Sequence, residues 1–282
     1  MASSRSNISL CLYPLDWLGK SILSHVYLLI DIFELTFVSL RSVWYERPNY
    51  SRSILGEVLE QIFFIGWQAL PIIFALSTVT GAAAIWQAVS QFNMLGGQEI
   101  IGEFLALTIV REVAPLLTAL IVIARSATAV AAELGNMRAN GEIDALQAMG
   151  INPYSFVVYP RLMGGVISVG ALSFYFVFFA LVGGYVLTAF VHEMDPRFYF
   201  SVVLEALGSP EAWVLFILKV IVNAVMIFSI ASYYGLQVRR SHNEVPVATT
   251  KAVMRCLSYI FTFNIGSSIL FYIILFATRG AL

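Results

Sequence analysis

Ala124–Arg161 reads ARSATAVAAELGNMRANGEIDALQAMGINPYSFVVYPR, a charged stretch set between two long apolar ones. Small residues from Ser126 to Ala132 lead into Glu133, Met137, Arg138, Glu142 and Asp144, and Leu146 and Met149 add an apolar stripe. Gly150 supplies a helix stop and Pro153 is expected to block a restart, which predicts a helix over about 133–150. In a chain that is 59% hydrophobic, such a segment is either an ordinary loop helix between two spans or a docking helix offered to a cytosolic partner. Spacing alone leaves both open.

Working outward, the composition decides the class. A mean hydropathy of +0.83 with 12% charged residues is far from that of a soluble domain and describes an all-α integral membrane protein. The net charge of -1 suggests neither nucleic acid nor a polyanion as partner. Cys11 and Cys256 lie in unrelated segments and neither forms a CxxC, so neither a disulfide framework nor a zinc site is expected. The polar start MASSRSNISL is not followed by the apolar core and cleavage site of a removable signal peptide.

A span needs about 20 apolar residues, and five stretches qualify: Ile62–Ala88, Phe104–Ala124, Phe156–Phe190, Trp213–Tyr234 and Tyr259–Thr278. The third is long enough to tilt, or to kink near Gly183-Gly184. Pro71 and Pro115 are expected to kink the first two. Leu18–Arg41 carries Lys20, Ser24, Asp31 and Glu34 in one stripe at helical spacing, which fits an amphipathic helix lying in the membrane interface better than a sixth span. A second short helix, Ser53–Gln61, follows the turn at Pro48-Asn49. The chain thus divides into an N-terminal tail with interfacial helices (1–61) and a five-span domain (62–282). The outer loop, about 191–212, holds a helix near Phe198–Leu207 with Pro196 before it and Gly208-Ser209-Pro210 after it. No repeat is visible, which counts against inverted-repeat transporters.

Lys and Arg near the span ends set orientation. With the N-terminus in the cytoplasm, the inner segments hold Arg5, Lys20, Arg41, Arg47, Arg52, Arg125, Arg138, Arg161, Arg239, Arg240, Lys251 and Arg255, against Arg197 and Arg279 outside. Twelve against two puts the C-terminus outside.

Ionisable residues at membrane depth are costly and often functional. Arg111 and Glu112 interrupt the second span and Lys219 the fourth, at similar depth in the outer part of the bilayer. Adjacent residues are about 100° apart on a helix, so Arg111 and Glu112 share a face poorly. Two readings stand: a polar lining whose cations meet a phosphate, or a structural bridge between spans. Other motifs fail. Gly19-Lys20-Ser21 ends like a P-loop, but Pro14 stands where a glycine is needed. His25, His192 and His242 are scattered over different segments, and neither HExxH nor GxSxG occurs, so no catalytic or metal site is expected. The sequon Asn7-Ile8-Ser9 falls on the cytoplasmic side. Small residues over Arg125–Gly135 suit close helix packing.

Five runs are similar to one known family. They are Arg111-Glu112-Val113-Ala114-Pro115-Leu116-Leu117-Thr118-Ala119-Leu120; Ala124-Arg125; Ala132-Glu133-Leu134-Gly135-Asn136-Met137-Arg138; Ile143-Asp144-Ala145-Leu146-Gln147-Ala148-Met149-Gly150-Ile151-Asn152-Pro153; and Pro160-Arg161. Together they resemble the MlaE/YrbE permeases, the membrane subunits of ABC transporters that work with MCE proteins on lipids. The likeness is dense over some fifty residues and looser from Ile65 to Tyr185, including Leu70-Pro71 and Gly81. It departs at Ala124, where the family usually has Gly, and at Gly141-Glu142, where it often has Glu-Gln.

The resemblance implies a homodimer in the bacterial inner membrane with an interfacial elbow helix and five spans. It implies separate cytoplasmic ATPase subunits, an MCE protein outside and, in some systems, a STAS-domain protein. No cofactor is implied. Arg111, Glu112 and Lys219 would line the lipid cavity, with Glu112 holding both cations. Glu133, Met137, Arg138, Glu142, Asp144, Leu146 and Met149 would couple to the ATPase. The rival readings are an ABC importer permease for a small solute, which would need more polar spans, and a non-transporting membrane scaffold, which the buried charges disfavour.

Overall fold

A computed structural model of the chain describes residues 27–43, 54–95, 100–190, 195–208, 210–239 and 241–279. The first part of the expected interfacial helix, the Pro48-Asn49 turn, Ser53, His25, His192, Cys11, the sequon and the final three residues lie outside them. The described residues are helical throughout apart from short connections, and five helices are long and apolar enough to cross a membrane.

Helix α1 (residues 27–43) precedes α2, which runs over 54–66, tightens into a 3-10 turn at Trp67–Ala69 and continues as Leu70–Leu95. The short helix expected at Ser53–Gln61 is therefore the first part of the span itself. The irregular turn sits just before Pro71, which has no N–H to give and crowds the carbonyl four residues back. Helix α3 extends from Ile100 to Ala139, with α-helical stretches interrupted by wide π-type turns at Ala106–Val113 and Ile123–Ala127. Its apolar span, Ile101–Ala139, has 39 residues, nearly twice what a bilayer core needs. The charged stretch after Ala124 thus begins as a continuation of the second span.

The helix expected over 133–150 is two pieces. α3 ends at Ala139, the chain reverses through Gly141 at φ 77°, and α4 (Glu142–Ala148) follows. The Gly141 position needs a left-handed backbone that costs other residues about 1–2 kcal/mol, so a single helix does not run through it. Gly150, at φ 75°, closes α4: its N–H reaches the Gln147 carbonyl and the Ile151 N–H reaches that of Leu146. Pro153 does not block the next helix. It begins it, because its missing N–H falls where no intrahelical partner exists, and Asn152 accepts from the Tyr154 N–H.

Helix α5 opens with a π-turn at Tyr154–Val158 and runs unbroken over Tyr159–Ala189. Gly183-Gly184 does not break it. These glycines mark where α2 and α5 cross: a β-carbon on Gly184 would lie 2.6 Å from the Gly81 carbonyl carbon, and one on Gly81 would strike the Ala180 carbonyl. Backbones meet this closely only where side chains are absent. Helix α6 (Pro196–Leu207) takes Pro196 as its first residue, capped by Asp195, whose carboxylate accepts from the Arg197 N–H at 2.9 Å. Its Tyr199 hydroxyl donates to the Leu181 carbonyl, and burial pushes that hydroxyl well above the usual tyrosine range. Helix α7 (Pro210–Leu236) and, after a 3-10 turn at His242–Glu244, α8 (Val245–Arg279) complete the chain.

Helices α3 and α7 form the buried centre, α5 packs between α2 and α7, and the apolar stretches of α2 and α8 flank the bundle largely exposed. One end gathers the α3 terminus, α4, the start of α5 and the α7–α8 turn: a β-carbon on Gly135 would touch Val238 and Val245. Arg125, Arg138, Arg161, Arg239, Lys251 and Arg255 belong to this half. The other end gathers α6 and the starts of α3 and α7.

Candidate functional site

The structure brings Arg111, Glu112 and Lys219 together. Lys219 is wholly buried on α7. Its ammonium donates to Glu112 Oε2 at 2.8 Å, to Ser268 Oγ at 2.7 Å and to the Arg111 carbonyl at 3.0 Å. Three donors and three acceptors satisfy the ammonium, which is the condition for keeping a cation in an apolar interior. Ser268 lies 2.8 Å from Glu112 Oε2 and from the Asn264 carbonyl.

Glu112 does not hold both cations, contrary to expectation. Arg111 sits in the same wide π-turn and its guanidinium goes elsewhere: its carbon lies 4.2 Å from the centre of the Phe271 ring and 5.1 Å from that of Tyr272. Arg111 is 4% exposed, and its Nε and Nη2 are buried without a hydrogen-bond partner. The cluster therefore holds a bridge between spans through Glu112–Lys219 and, beside it, a buried cation with free donors at Arg111.

Sequence reasoning missed the α8 contribution. Asn264, Ser268, Phe271 and Tyr272 recur at helical spacing and face α3 and α7 together. Asn264 Nδ2 donates to Asn223 Oδ1 at 3.0 Å, and Asn223 donates to the Pro115 carbonyl. The signal lies in the sequence, since asparagines are uncommon in apolar spans. Helix α1 has a similar undercover role: Asp31 accepts from the Tyr233 hydroxyl at 2.8 Å and Thr36 bonds Ser229.

The charged end forms a second site. Glu133 accepts from Arg161 Nη2 at 2.7 Å, tying α3 to α5, and the same nitrogen lies 3.9 Å from Met137 Sδ. Arg138 pairs with Asp144 across the Gly141 reversal. Of the seven residues expected there, Glu133, Met137, Arg138 and Asp144 are engaged inside this end of the chain. Leu146 packs partly against the core, where buried Ile143 anchors α4, while Glu142 and Met149 face outward. Leu146 and Met149 thus do not share one exposed stripe. A groove of about 440 Å³ at this end is lined by Glu57, Glu133, Glu142 and Arg161 among others. Arg125, about two turns deeper, donates to the carbonyls of Phe64 and Ile65 and to Gln68, next to the irregular turn of α2.

The chain is similar to known permeases. The Permease MlaE family profile matches residues 58–270. A probable ABC transporter permease protein of Rickettsia prowazekii is 26% identical over 244 residues, covering 86% of this chain and 92% of that protein. The intermembrane phospholipid transport system permease protein MlaE of Haemophilus influenzae is 26% identical, covering 70% and 76%. The chloroplastic protein TRIGALACTOSYLDIACYLGLYCEROL 1 of Arabidopsis thaliana is 28% identical, covering 76% and 61%. Matched by the family profile over most of its length and built as five apolar spans, the chain is a multi-pass membrane protein that belongs to the MlaE permease family.

Proposed function

We propose that this chain is the permease subunit of an ABC transporter that moves phospholipid between the inner membrane and an MCE-domain protein outside it. The observation that carries this reading is the Arg111–Glu112–Lys219–Ser268 cluster, set in otherwise apolar spans of a MlaE-family chain. Apolar spans holding a buried guanidinium with free donors at Arg111 suit a molecule with acyl chains and a phosphate, whereas a small polar solute would need a polar lining these helices do not offer.

Two copies pair so that the clusters face a shared outward cavity. The end bearing Arg125, Arg138 and Arg161 faces the cytoplasm, with the N-terminus on that side and the C-terminus on the periplasmic side. ATP binding and hydrolysis belong to separate ATPase subunits, to which a STAS-domain protein attaches in some systems. Glu142 on α4 and Met149 just after it make the outward contact. The Glu133–Arg161 and Arg138–Asp144 pairs transmit it into α3 and α5, so the push reaches Arg111 along one continuous helix.

Purification of the tagged chain from its native membrane, with mass spectrometry of proteins and lipids, tests this reading. An ATPase, an MCE protein and enriched phospholipid are expected together. An ATPase with a soluble solute-binding protein and no enriched lipid would overturn it.

A further inference from the structure

Arg111 cannot meet a headgroup as it stands. Its guanidinium is buried, the rings of Phe271 and Tyr272 lie over it, and Nε and Nη2 point at no acceptor. A desolvated guanidinium with unmade hydrogen bonds is a costly arrangement. Aromatic faces offset part of that cost through cation–π attraction, but they accept no in-plane N–H bond. A phosphate would accept both at once, in the bidentate geometry that guanidinium favours.

Both rings belong to α8, and so does Ser268, one turn earlier. Ser268 bonds Glu112 and Lys219 at 2.7–3.0 Å and is the α8 group that fastens this stretch to the ion pair. Around it α8 is lightly held: Ile265, Ile269 and Ile273 are all more than half exposed. The helix that covers Arg111 is therefore among the least packed of the bundle, and a short polar contact fastens it.

We infer that the outer half of α8 is a movable cover: Phe271 and Tyr272 occlude the Arg111 donors until α8 swings away, Ser268 is the positioning residue that latches it shut, and the ligand admitted is a phosphate monoanion or diester carried on a lipid. This rests on the phospholipid reading above. It assigns the three residues a shared function that neither bridge nor packing requires: with the cover closed, the rings offset part of the cost of burying Arg111, and with it open, a phosphate accepts the donors the rings leave unmade.

The test is the rate at which phenylglyoxal, an arginine-specific reagent, modifies Arg111 in the purified transporter complex, read by peptide mass spectrometry. Slow modification is expected in the wild type, and several-fold faster modification in Phe271→Ala, Tyr272→Ala and Ser268→Ala, with Ser268→Thr restoring the slow rate. Phe271→Leu keeps the bulk and removes the π face, so it is expected to react faster even if the alanine variants fail to assemble. Equal rates in the wild type and all assembled variants overturn the cover. Dihexanoyl phosphatidylglycerol is expected to slow modification of the opened variants while inorganic phosphate at equal concentration does not. Opening without protection by the phospholipid leaves the cover standing and overturns Arg111 as a headgroup site, and with it the site named under the phospholipid reading. Equal protection by inorganic phosphate overturns the lipid as source.

Discussion

The Lys219 ammonium is completely buried, while the Glu112 carboxylate that pairs with it at 2.8 Å keeps about a third of its surface exposed. The two partners therefore depend on each other unequally. Removing Glu112 strands a cation in an apolar interior. Removing Lys219 leaves a carboxylate that is only partly enclosed by protein and keeps its contact with Ser268. Breaking a buried pair costs about 3–5 kcal/mol when the remaining charge is uncompensated. Glu112→Ala is expected to approach the lower end of that range, and Lys219→Met to lose only about 1 kcal/mol through the lost hydrogen bonds. Thermal unfolding of the two purified variants in one detergent checks the order. Equal losses would mean that Lys219 finds another acceptor once Glu112 is gone. For the same reason Glu112→Gln, which keeps an acceptor for Lys219, is the variant in which to measure lipid transfer. Reduced transfer with intact assembly is the expected outcome.

The α2–α5 crossing offers a comparison with its own control. Gly81 has no room for a β-carbon against Ala180, whereas Gly170, on the same α5, has open space around it. Gly81→Ala forces two backbones apart and is expected to cost roughly 1–3 kcal/mol, as overpacking does. Gly170→Ala is expected to gain roughly 0.5–1 kcal/mol from helix propensity. Opposite shifts in unfolding temperature are the result sought. A loss in both would place the crossing's tolerance elsewhere than in this contact.

The five spans were legible in the sequence because hydropathy registers desolvation directly, and counting along helices put Glu112 and Lys219 at one level of the bundle, where they meet. What was not legible depended on single backbone angles and on partners distant in sequence. Gly141 reads as one glycine in a helix-forming run, yet its positive φ splits the segment in two. Pro153 reads as a stop when placed after a glycine, and only the Asn152 cap makes it a start. The division of labour between Arg111 and Glu112 was hidden because it is decided by α8, about 150 residues on: a carboxylate adjacent to one cation chose the other through Ser268.

Helix α4 is small enough for its outward face to be tested residue by residue. Met149 is two-thirds exposed, whereas Leu146 packs partly against the core. Met149→Asp is expected to release the ATPase in a pull-down while leaving the permease's unfolding temperature unchanged. Leu146→Asp is expected to lower both, because it buries part of a charge beside Ile143. If Met149→Asp leaves the complex intact, α4 is not the docking element and the loop helix is only a connection.

Glu133 separates docking from internal clamping. It bonds Arg161, which is almost wholly buried and also donates to the Val157 carbonyl at 2.6 Å. A residue held this way carries force between α3 and α5. Glu133→Arg places two guanidiniums together and is expected to lower the permease's stability and its ATPase coupling in step. The Arg161→Glu change is expected to be worse, since the carboxylate it introduces is buried against another. Combining the two restores opposite charges across the same gap and is expected to recover part of the loss, a coupling of about 1–3 kcal/mol in a double-mutant cycle. A direct ATPase contact at Glu133 predicts a different pattern: dissociation of the ATPase by Glu133→Ala, unchanged permease stability and no rescue in the double variant. Stability and pull-down measured on the same four proteins distinguish a strut inside the permease from a hook on its surface.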